Sequence, residues 1–141
     1  MSKSLRILIA EDNPGDVELV REALREHHVE CELFVACDGG EVKRYLERLG
    51  KYDDAPYPDL LLLDLNLPKA HGFELFQMFR AHALCNHTPV IVMTSSSAPR
   101  DRERAAAMGA ARYFCKPCEL DEFLQLGSLV RELAHECGLA A

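Results

Sequence analysis

A run of four leucines inside Asp59-Leu60-Leu61-Leu62-Leu63-Asp64 constrains the fold of this chain more than any other stretch. The run lies between Pro58 and Pro68 and is too short for a membrane span or a long buried helix. It predicts a short strand that is buried on both faces, as in the middle of a parallel sheet. Asp64 follows the last leucine, at the edge where open α/β sheets bind ligands. We expect Asp59 to begin the strand and to lie outside any site.

Strand-like and helix-like segments alternate along the rest of the chain. Strands are predicted for residues 5–10, 29–35, 60–63, 89–93 and 111–115. Helices are predicted for residues 14–27, for 42–49, from 73 to a point before 86, from 99 to a cap at Gly109, and for 119–137. The alternation indicates an α/β domain with a doubly wound five-stranded parallel sheet, right-handed crossovers and helices on both faces. We expect residues 1–141 to form this one domain, with no output domain after the last helix.

Composition narrows the function classes. A chain of 141 residues can bury a core without disulfides, and its six cysteines are expected to be reduced, buried small hydrophobes. The formal net charge of −7 argues against a nucleic-acid surface, which needs a clustered basic face. The amino terminus lacks the apolar stretch of a signal peptide, and no segment has the length of a transmembrane helix. We therefore expect a cytoplasmic protein that binds neither nucleic acid nor membranes.

Polar side chains follow four of the five predicted strands. Glu11 and Asp12 follow the first strand and Asp64 the third, while Thr94 and Lys116 follow the fourth and fifth. The carboxyl ends of parallel strands meet at one edge of a sheet, so these residues are expected to converge. Carboxylates placed together repel one another, and Mg²⁺, which takes oxygen ligands, resolves the repulsion. A hydroxyl and an ammonium opposite the acids suit the oxygens of a phosphoryl group.

The motifs around these residues resemble those of bacterial response-regulator receiver domains, in order and over nearly the whole chain. They are Glu11-Asp12, the segment 63–68 with Gly72 eight residues past Asp64, the segment 93–95 around Thr94, and the segment 113–117 around Lys116. The resemblance implies the flavodoxin-like, CheY-like strand order 2-1-3-4-5. It also implies a signalling protein that catalyses only its own phosphoryl transfer and dephosphorylation, and that is otherwise not an enzyme.

The resemblance also implies a role for each matching residue. Asp64 is the phosphoacceptor, which takes a phosphoryl group from a phosphohistidine of a sensor histidine kinase. Asp12 binds Mg²⁺ directly, Glu11 assists through water, and the backbone carbonyl of Asn66 completes the protein ligands together with Asp64. Lys116 binds a phosphoryl oxygen, and its peptide bond to Pro117 is expected to be cis.

Thr94 and Tyr113 are the switch residues that the resemblance implies. Thr94 bonds a phosphoryl oxygen when Asp64 is modified, and Tyr113 then swings inward. Ser95 stands where many receivers have alanine, and we expect this small residue to leave room for Tyr113. Asn66 and Ser96 flank the expected route of water to the phosphoryl group, so they are expected to tune its lifetime.

Partners are predicted from two further features. The last helix carries apolar residues over more than one stripe, which indicates a homodimer through the fourth helix, the fifth strand and the fifth helix. The connection at 50–58 and the run from Asp64 to Lys69 resemble single-domain regulators that partner bacterial phytochrome-type histidine kinases.

Three other functions are compatible with parts of the pattern. A flavodoxin-like cofactor binder would need a phosphate-binding loop after the first strand, where Glu11-Asp12-Asn13-Pro14 repels phosphate. A metal-dependent phosphohydrolase would need a second acid soon after its nucleophile, and Asn66 holds the nearest suitable position. Cys115 and Cys118 form a C-x-x-C motif, but they surround the receiver lysine, and we expect Cys115 to point into the core.

Overall fold

The computed structural model describes residues 4–48, 50, 53–67 and 71–139. The strands are β1 (Leu5–Ala10), β2 (Cys31–Ala36), β3 (Leu60–Asp64), β4 (Val90–Thr94) and β5 (Arg112–Cys115). The helices are α1 (Pro14–Glu26), α2 (Gly39–Glu47), α3 (Gly72–Ala81), α4 (Pro99–Ala107), α5 (Leu120–Phe123) and α6 (Leu126–Glu136). All strand pairs are parallel and the sheet order is β2-β1-β3-β4-β5, so the predicted topology is confirmed. Leu49 of the predicted second helix, residues 51 and 52 of the connection at 50–58, and Pro68 and Lys69 lie outside the described residues.

The leucine run occupies the centre of the sheet and contributes side chains to two hydrophobic cores, one on each face of the sheet. Leu61 and Leu63 pack with apolar residues of α2, α3 and α4, whereas Leu60 and Leu62 pack with those of α1, α5 and α6. Successive side chains of a strand point to opposite faces, so a strand between two helical layers has to be apolar at every position. The prediction of a central, doubly covered strand is confirmed.

Helix α1 begins immediately beyond the acidic pair that ends β1. Asn13 caps it, because its Oδ1 accepts hydrogen bonds from the backbone N–H of Gly15 at 2.8 Å and of Asp16 at 3.3 Å. Pro14 occupies the first turn, where a proline loses no helical hydrogen bond. This start places the first turn of α1 beside the end of the sheet.

Strand β2 lies at the edge of the sheet and begins two residues later than predicted. The backbone N–H of Val29 donates to the carbonyl of Leu24, so Val29 still belongs to the turn that ends α1. From Cys31 onward the strand pairs with β1, and most of its side chains are half-buried. The predicted half-solvated edge strand is therefore confirmed, with a shifted start.

The single last helix predicted for 119–137 is wrong, because the chain forms two helices there. The backbone N–H groups of Gln125 and Gly127 donate to carbonyls three residues earlier, those of Glu122 and Leu124. Such bonds tighten the backbone into a 3₁₀-like turn between α5 and α6. Apolar spacing predicted the burial but not this turn, since residues such as Phe123 and Leu126 are buried in either arrangement.

The close contact between α1 and α6 depends on Gly127. A Cβ atom at this position would lie 2.1 Å from the carbonyl oxygen of Ala23. Only a residue without a side chain lets the two helix backbones approach this closely. Within the part of the chain that the structure describes, no helix combines the length and apolar character needed to cross a membrane.

Candidate functional site

The candidate site lies where the carboxyl ends of the central strands meet, as predicted. Glu11 directly follows β1, Asp64 ends β3 and Thr94 ends β4. Lys116 directly follows β5, and its backbone N–H donates to the carbonyl of Thr94 at 2.7 Å. The sheet register therefore brings the backbones of these residues together at one edge of the sheet.

The ammonium group of Lys116 is the centre of the site. Its Nζ atom lies 2.5 Å from Oε1 of Glu11, 2.9 Å from Oδ2 of Asp16 and 3.0 Å from Oδ2 of Asp64. The lysine side chain is only 10% exposed, so water screens these contacts weakly. One cation thus joins three carboxylates that come from two strands and a helix.

Three of the predicted acids form a compact oxygen cluster. Ligand oxygens of Glu11, Asp12 and Asp64 all lie within 4.8 Å of one another. Glu11 and Asp64 are buried, at 1% and 4% exposure, while Asp12 faces solvent. The cluster is thus open on one side and enclosed on the other.

The protonation of the site follows from this burial. The pKa of Glu11 is raised to about 7, mainly because the side chain is buried; the hydrogen bond from Lys116 lowers this pKa, and the neighbouring Asp64 contributes to the rise. Burial alone would lower the pKa of Lys116, but its hydrogen bonds to Glu11, Asp16 and Asp64 outweigh that effect and hold the pKa above its ordinary value. Lys116 is therefore a fixed positive charge at neutral pH.

A divalent cation fits the donor set. Carboxylate oxygens are the hard ligands that Mg²⁺ and related ions prefer, and such ions are commonly held by one or two carboxylates with water. Beyond the charge of Lys116, the site carries excess negative charge, because Asp12 adds a fourth carboxylate to the three that Lys116 contacts. Glu11, Asp12 and Asp64 are the residues that could hold the ion.

Thr94 is fully buried beside Asp64, and Asn66 joins the two. The backbone N–H of Asn66 donates to Oδ1 of Asp64 at 2.9 Å, and its side chain Nδ2 donates to Oγ1 of Thr94 at 3.4 Å. The Thr94 hydroxyl oxygen also accepts from the backbone N–H of Ser96 at 3.1 Å. A change at Asp64 can therefore reach the segment after β4 through these three hydrogen bonds.

Tyr113 is tied to that same segment. Its hydroxyl donates to the carbonyl of Ser96 at 2.9 Å, and the guanidinium carbon of Arg102 lies 4.6 Å from the centre of its ring. The Ser96 hydroxyl in turn donates to Oδ2 of Asp101 at 2.7 Å. Thr94, the start of α4 and Tyr113 thus form one hydrogen-bonded unit around Ser96.

Asp16 is the site residue that the sequence analysis missed. It lies in the first turn of α1, four residues after Asp12. Asp12 precedes the cap residue Asn13, so helical spacing does not link the two acids; the available signal was an acid in the first turn of a helix that begins beside the predicted site. The contact with Lys116 itself depends on the distance between α1 and β5, which no local pattern gives.

One expectation about the lysine segment needs correction. No peptide bond among the described residues is cis, so the expected cis bond between Lys116 and Pro117 is wrong. The trans form is intrinsically preferred, by about 0.5–1 kcal/mol for a bond that precedes proline. Lys116 reaches all three carboxylates with the trans bond.

The cysteines differ from the expectation as well. None of the six cysteines lies in a disulfide, but only Cys85 is fully buried, while Cys37, Cys118 and Cys137 are exposed. Cys115 is half-buried and its Sγ lies 3.9 Å from the carbonyl oxygen of Ser95, so it does not point into the core. Strand β5 is an edge strand, and side chains at a sheet edge are incompletely covered.

Asp59 lies outside the site, as predicted. Its Oδ2 accepts a hydrogen bond from the backbone N–H of Arg6 at 2.8 Å and lies 3.5 Å from the Arg6 side chain. The Asp59 carboxylate therefore binds Arg6 beside the start of β3, at the sheet edge opposite Asp64.

Comparisons with known proteins agree with this geometry. Residues 7–126 match the family model described as the response regulator receiver domain. Response regulator Rcp1 of Synechocystis sp. is 38% identical over 90 residues, which cover 64% of this chain. That match spans 61% of Rcp1, less than two thirds of its length.

Two solved structures are similar over most of the chain. The phosphorylated cyanobacterial phytochrome response regulator RcpA superposes with a TM-score of 0.84 at 32% identity, covering 93% of this chain and 94% of RcpA. The Mn²⁺-bound form of Rcp1 superposes with a TM-score of 0.82 at 30% identity, covering 91% of this chain and 92% of Rcp1.

Proposed function

The chain belongs to the response-regulator receiver family of two-component systems, and from that premise we propose that Asp64 accepts a phosphoryl group from a sensor histidine kinase. The observation that carries this proposal is the contact of 3.0 Å between Oδ2 of Asp64 and Nζ of Lys116. A nucleophilic carboxylate at the closed end of an acidic cluster, with a fixed cation beside it, suits the transfer of an anionic group.

The transfer forms one bond and breaks one bond. A carboxylate oxygen of Asp64 attacks phosphorus, the P–N bond to the kinase histidine breaks, and the imidazole keeps the electron pair. Lys116 balances negative charge on the transferred group, and the buried surroundings of Glu11 and Asp64 limit competing contacts with water. Hydrolysis of the aspartyl phosphate by water returns the carboxylate and releases inorganic phosphate.

We propose Mg²⁺ as the metal, which Asp12 would bind directly and Glu11 through water, with Asp64 and the backbone carbonyl of Asn66 as the further ligands. When bound, the ion neutralises charge on the phosphoryl oxygens. The oxygen donor set supports a hard divalent cation. The Mn²⁺-bound form of Rcp1 supports a divalent ion in a similar protein.

The switch residues are assigned from the hydrogen-bonded unit around Ser96. A phosphoryl oxygen on Asp64 would accept a hydrogen bond from the Thr94 hydroxyl, whose oxygen already accepts from Asn66 and Ser96, so movement of Thr94 toward the phosphoryl group would pull on both contacts. The Tyr113 hydroxyl now donates a hydrogen bond to the carbonyl of Ser96, and a shift of Ser96 would break that bond. We therefore propose that Thr94 and Tyr113 transmit phosphorylation to the surface of α4 and β5.

We further propose that residues 1–141 act as one receiver domain in the cytoplasm and signal through protein contacts, not as an enzyme on other substrates. The partners would be a phytochrome-type histidine kinase and a second copy of the chain, bound through α4, β5 and the helices after β5. The similarity to RcpA supports the kinase type. The family match does not favour the cofactor-binding and phosphohydrolase alternatives.

The test is an incubation with acetyl phosphate and Mg²⁺, followed by intact mass. We expect one phosphoryl adduct on the unmodified chain and none on Asp64→Asn. Asp59→Asn is the matched control, because Asp59 flanks the same leucine run at the opposite edge of the sheet, and it should keep the adduct. A full adduct on Asp64→Asn, or none on the unmodified chain, would contradict the proposal.

The homodimer is tested in the same samples by size-exclusion chromatography with and without beryllofluoride. A shift to earlier elution in the unmodified chain, absent in Asp64→Asn, is the expected result. Unchanged monomeric elution with beryllofluoride bound would contradict the dimer and leave the phosphoacceptor role intact.

A further inference from the structure

Lys116 has no N–H to spare in this structure. An ammonium group carries three N–H donors, and the three carboxylates of Glu11, Asp16 and Asp64 take all of them at 2.5, 2.9 and 3.0 Å. A phosphoryl group on Asp64 would bring new oxygens within reach of the same ammonium. To bind one of them, Lys116 has to share or release one of its present partners.

The three partners differ in what their release would cost. The Glu11 side chain is 0% exposed, so its release would leave a buried acid without its cation. Asp64 is 6% exposed and would itself carry the phosphoryl group, and its carboxyl oxygen that is not bonded to phosphorus would remain available to Lys116 as an acceptor. The Asp16 side chain is 24% exposed and can turn toward water. Asp16 also lies in the first turn of α1, where the helix dipole favours a carboxylate even without a cation.

We infer that Asp16 is a positioning residue, the partner that holds Lys116 before phosphorylation and that Lys116 exchanges for a phosphoryl oxygen afterwards. The inference rests on the proposed function, because it assigns a role to Asp16 in the reaction at Asp64. Asp16 thereby competes with the phosphoryl group for Lys116 and limits how strongly the site binds it.

Removing the Asp16 charge changes anion binding in a defined direction. One N–H of Lys116 becomes available to the anion, and one negative charge near the anion disappears. Both effects strengthen binding of a phosphoryl mimic. Loss of the charge also weakens the attraction for Mg²⁺, so the comparison has to be made at saturating Mg²⁺.

The experiment measures the dissociation constant of beryllofluoride for the full chain by fluorine NMR, at saturating Mg²⁺. We expect Asp16→Asn to bind it about threefold more tightly, a change in the range of partly exposed ion pairs. Glu18→Gln is the matched control, because Glu18 carries the same charge on the same helix and pairs with Arg21. Glu18→Gln should leave the dissociation constant of beryllofluoride unchanged.

Two further measurements separate positioning from a structural role. Asp16→Glu should return the constant toward that of the unmodified chain, since a carboxylate is again present. Asp16→Ala should bind at least as tightly as Asp16→Asn, which covers the case that one variant folds poorly. Thermal unfolding of each variant confirms that the folded protein is measured.

The outcomes distinguish this inference from the proposed function. If the unmodified chain binds beryllofluoride and Asp16→Asn binds no more tightly than Glu18→Gln, the inference fails and the phosphoacceptor role stands. Weaker binding by Asp16→Asn would also overturn the inference, because Asp16 would then assist the anion. If the unmodified chain neither binds beryllofluoride nor forms an adduct with acetyl phosphate, both fail.

Discussion

Lys116 makes the acidic site compatible with a folded protein in the absence of a metal. Glu11 and Asp64 are buried next to each other, and like charges at this distance repel strongly away from water. The ammonium of Lys116 contacts both and is itself only 10% exposed. The same residue that would bind the phosphoryl group therefore also stabilises the resting site.

The substitution Lys116→Met should destabilise the protein by about 3 kcal/mol in a chelator, the lower end of the cost when a buried ion pair loses one partner. The carboxylates of Glu11, Asp16 and Asp64 would then face one another without a cation. Added Mg²⁺ should restore part of the loss. Denaturant unfolding in a chelator and in Mg²⁺ measures both effects.

Lys43→Met is the control for that experiment, because Lys43 is an exposed lysine on α2. It should change the free energy of unfolding little and respond to Mg²⁺ as the unmodified chain does. Equal losses of unfolding free energy in Lys116→Met and Lys43→Met would contradict the stabilising role of Lys116.

At the scale of elements, the ends of helices place the site residues. The cap formed by Asn13 fixes where α1 begins, and one of its two hydrogen bonds goes to the backbone N–H of Asp16. The position of Asp16 beside Lys116 thus depends on a cap three residues earlier.

Replacing Asn13 by alanine should cost about 1 kcal/mol, the usual loss for a helix cap. The free energy of unfolding reports it. Asn86→Ala, at an exposed asparagine outside the helices, serves as the control and should be close to neutral. If both variants lost the same stability, the cap would not be the cause.

Helix α6 offers a second test, because it contains Gly127 although glycine has a low helix propensity. Alanine is favoured over glycine inside a helix by about 0.8–1.0 kcal/mol. A Cβ at Gly127, however, would lie 2.1 Å from the carbonyl oxygen of Ala23, so α1 and α6 would have to separate.

We expect Gly127→Ala to destabilise the protein by about 1–3 kcal/mol, as overpacking of a close contact does. Thermal or denaturant unfolding measures the loss. Ser128→Ala, at the next and half-buried position of α6, should be neutral or slightly stabilising. A gain in stability for Gly127→Ala would show that α1 and α6 do not approach this closely.

At the scale of the whole molecule, the sheet brings residues that are distant in sequence together in one site. Glu11 and Lys116 are 105 residues apart in sequence, and their side chains are in contact. Both helical layers pack on the leucine strand, so the strand ends are held by the entire core. Binding at the site should therefore stabilise the complete fold.

Mg²⁺ at about 100 times its dissociation constant should raise the free energy of unfolding by about 2.7 kcal/mol, since it binds the folded site and not the unfolded chain. Asp12→Asn should lose most of this gain, because Asp12 would be a direct ligand. Thermal unfolding at rising Mg²⁺ measures the effect. An equal gain in sodium chloride of the same ionic strength would contradict a specific site.

The sequence alone determined the elements and the main residues of the site. The leucine run identified the central strand, and the acids after the first and third strands, with Thr94 and Lys116, identified the edge where they meet. These features are local: periodicity reports which faces are buried, and in a parallel sheet the strand ends share one edge. The order of the strands came from the resemblance to receivers and was confirmed.

Only the tertiary structure decided the contacts between side chains of different helices and strands, because these contacts depend on distances between elements. Asp16 contacts Lys116 because the start of α1 and the end of β5 lie at the same edge of the sheet, and Gly127 lies against α1 just after the turn at Leu124 and Gln125. Burial patterns do not encode how closely two helices approach or which partner a side chain finds. The sequence therefore identified most of the residues that meet at the sheet edge, and packing between helices and sheet decided which of them touch.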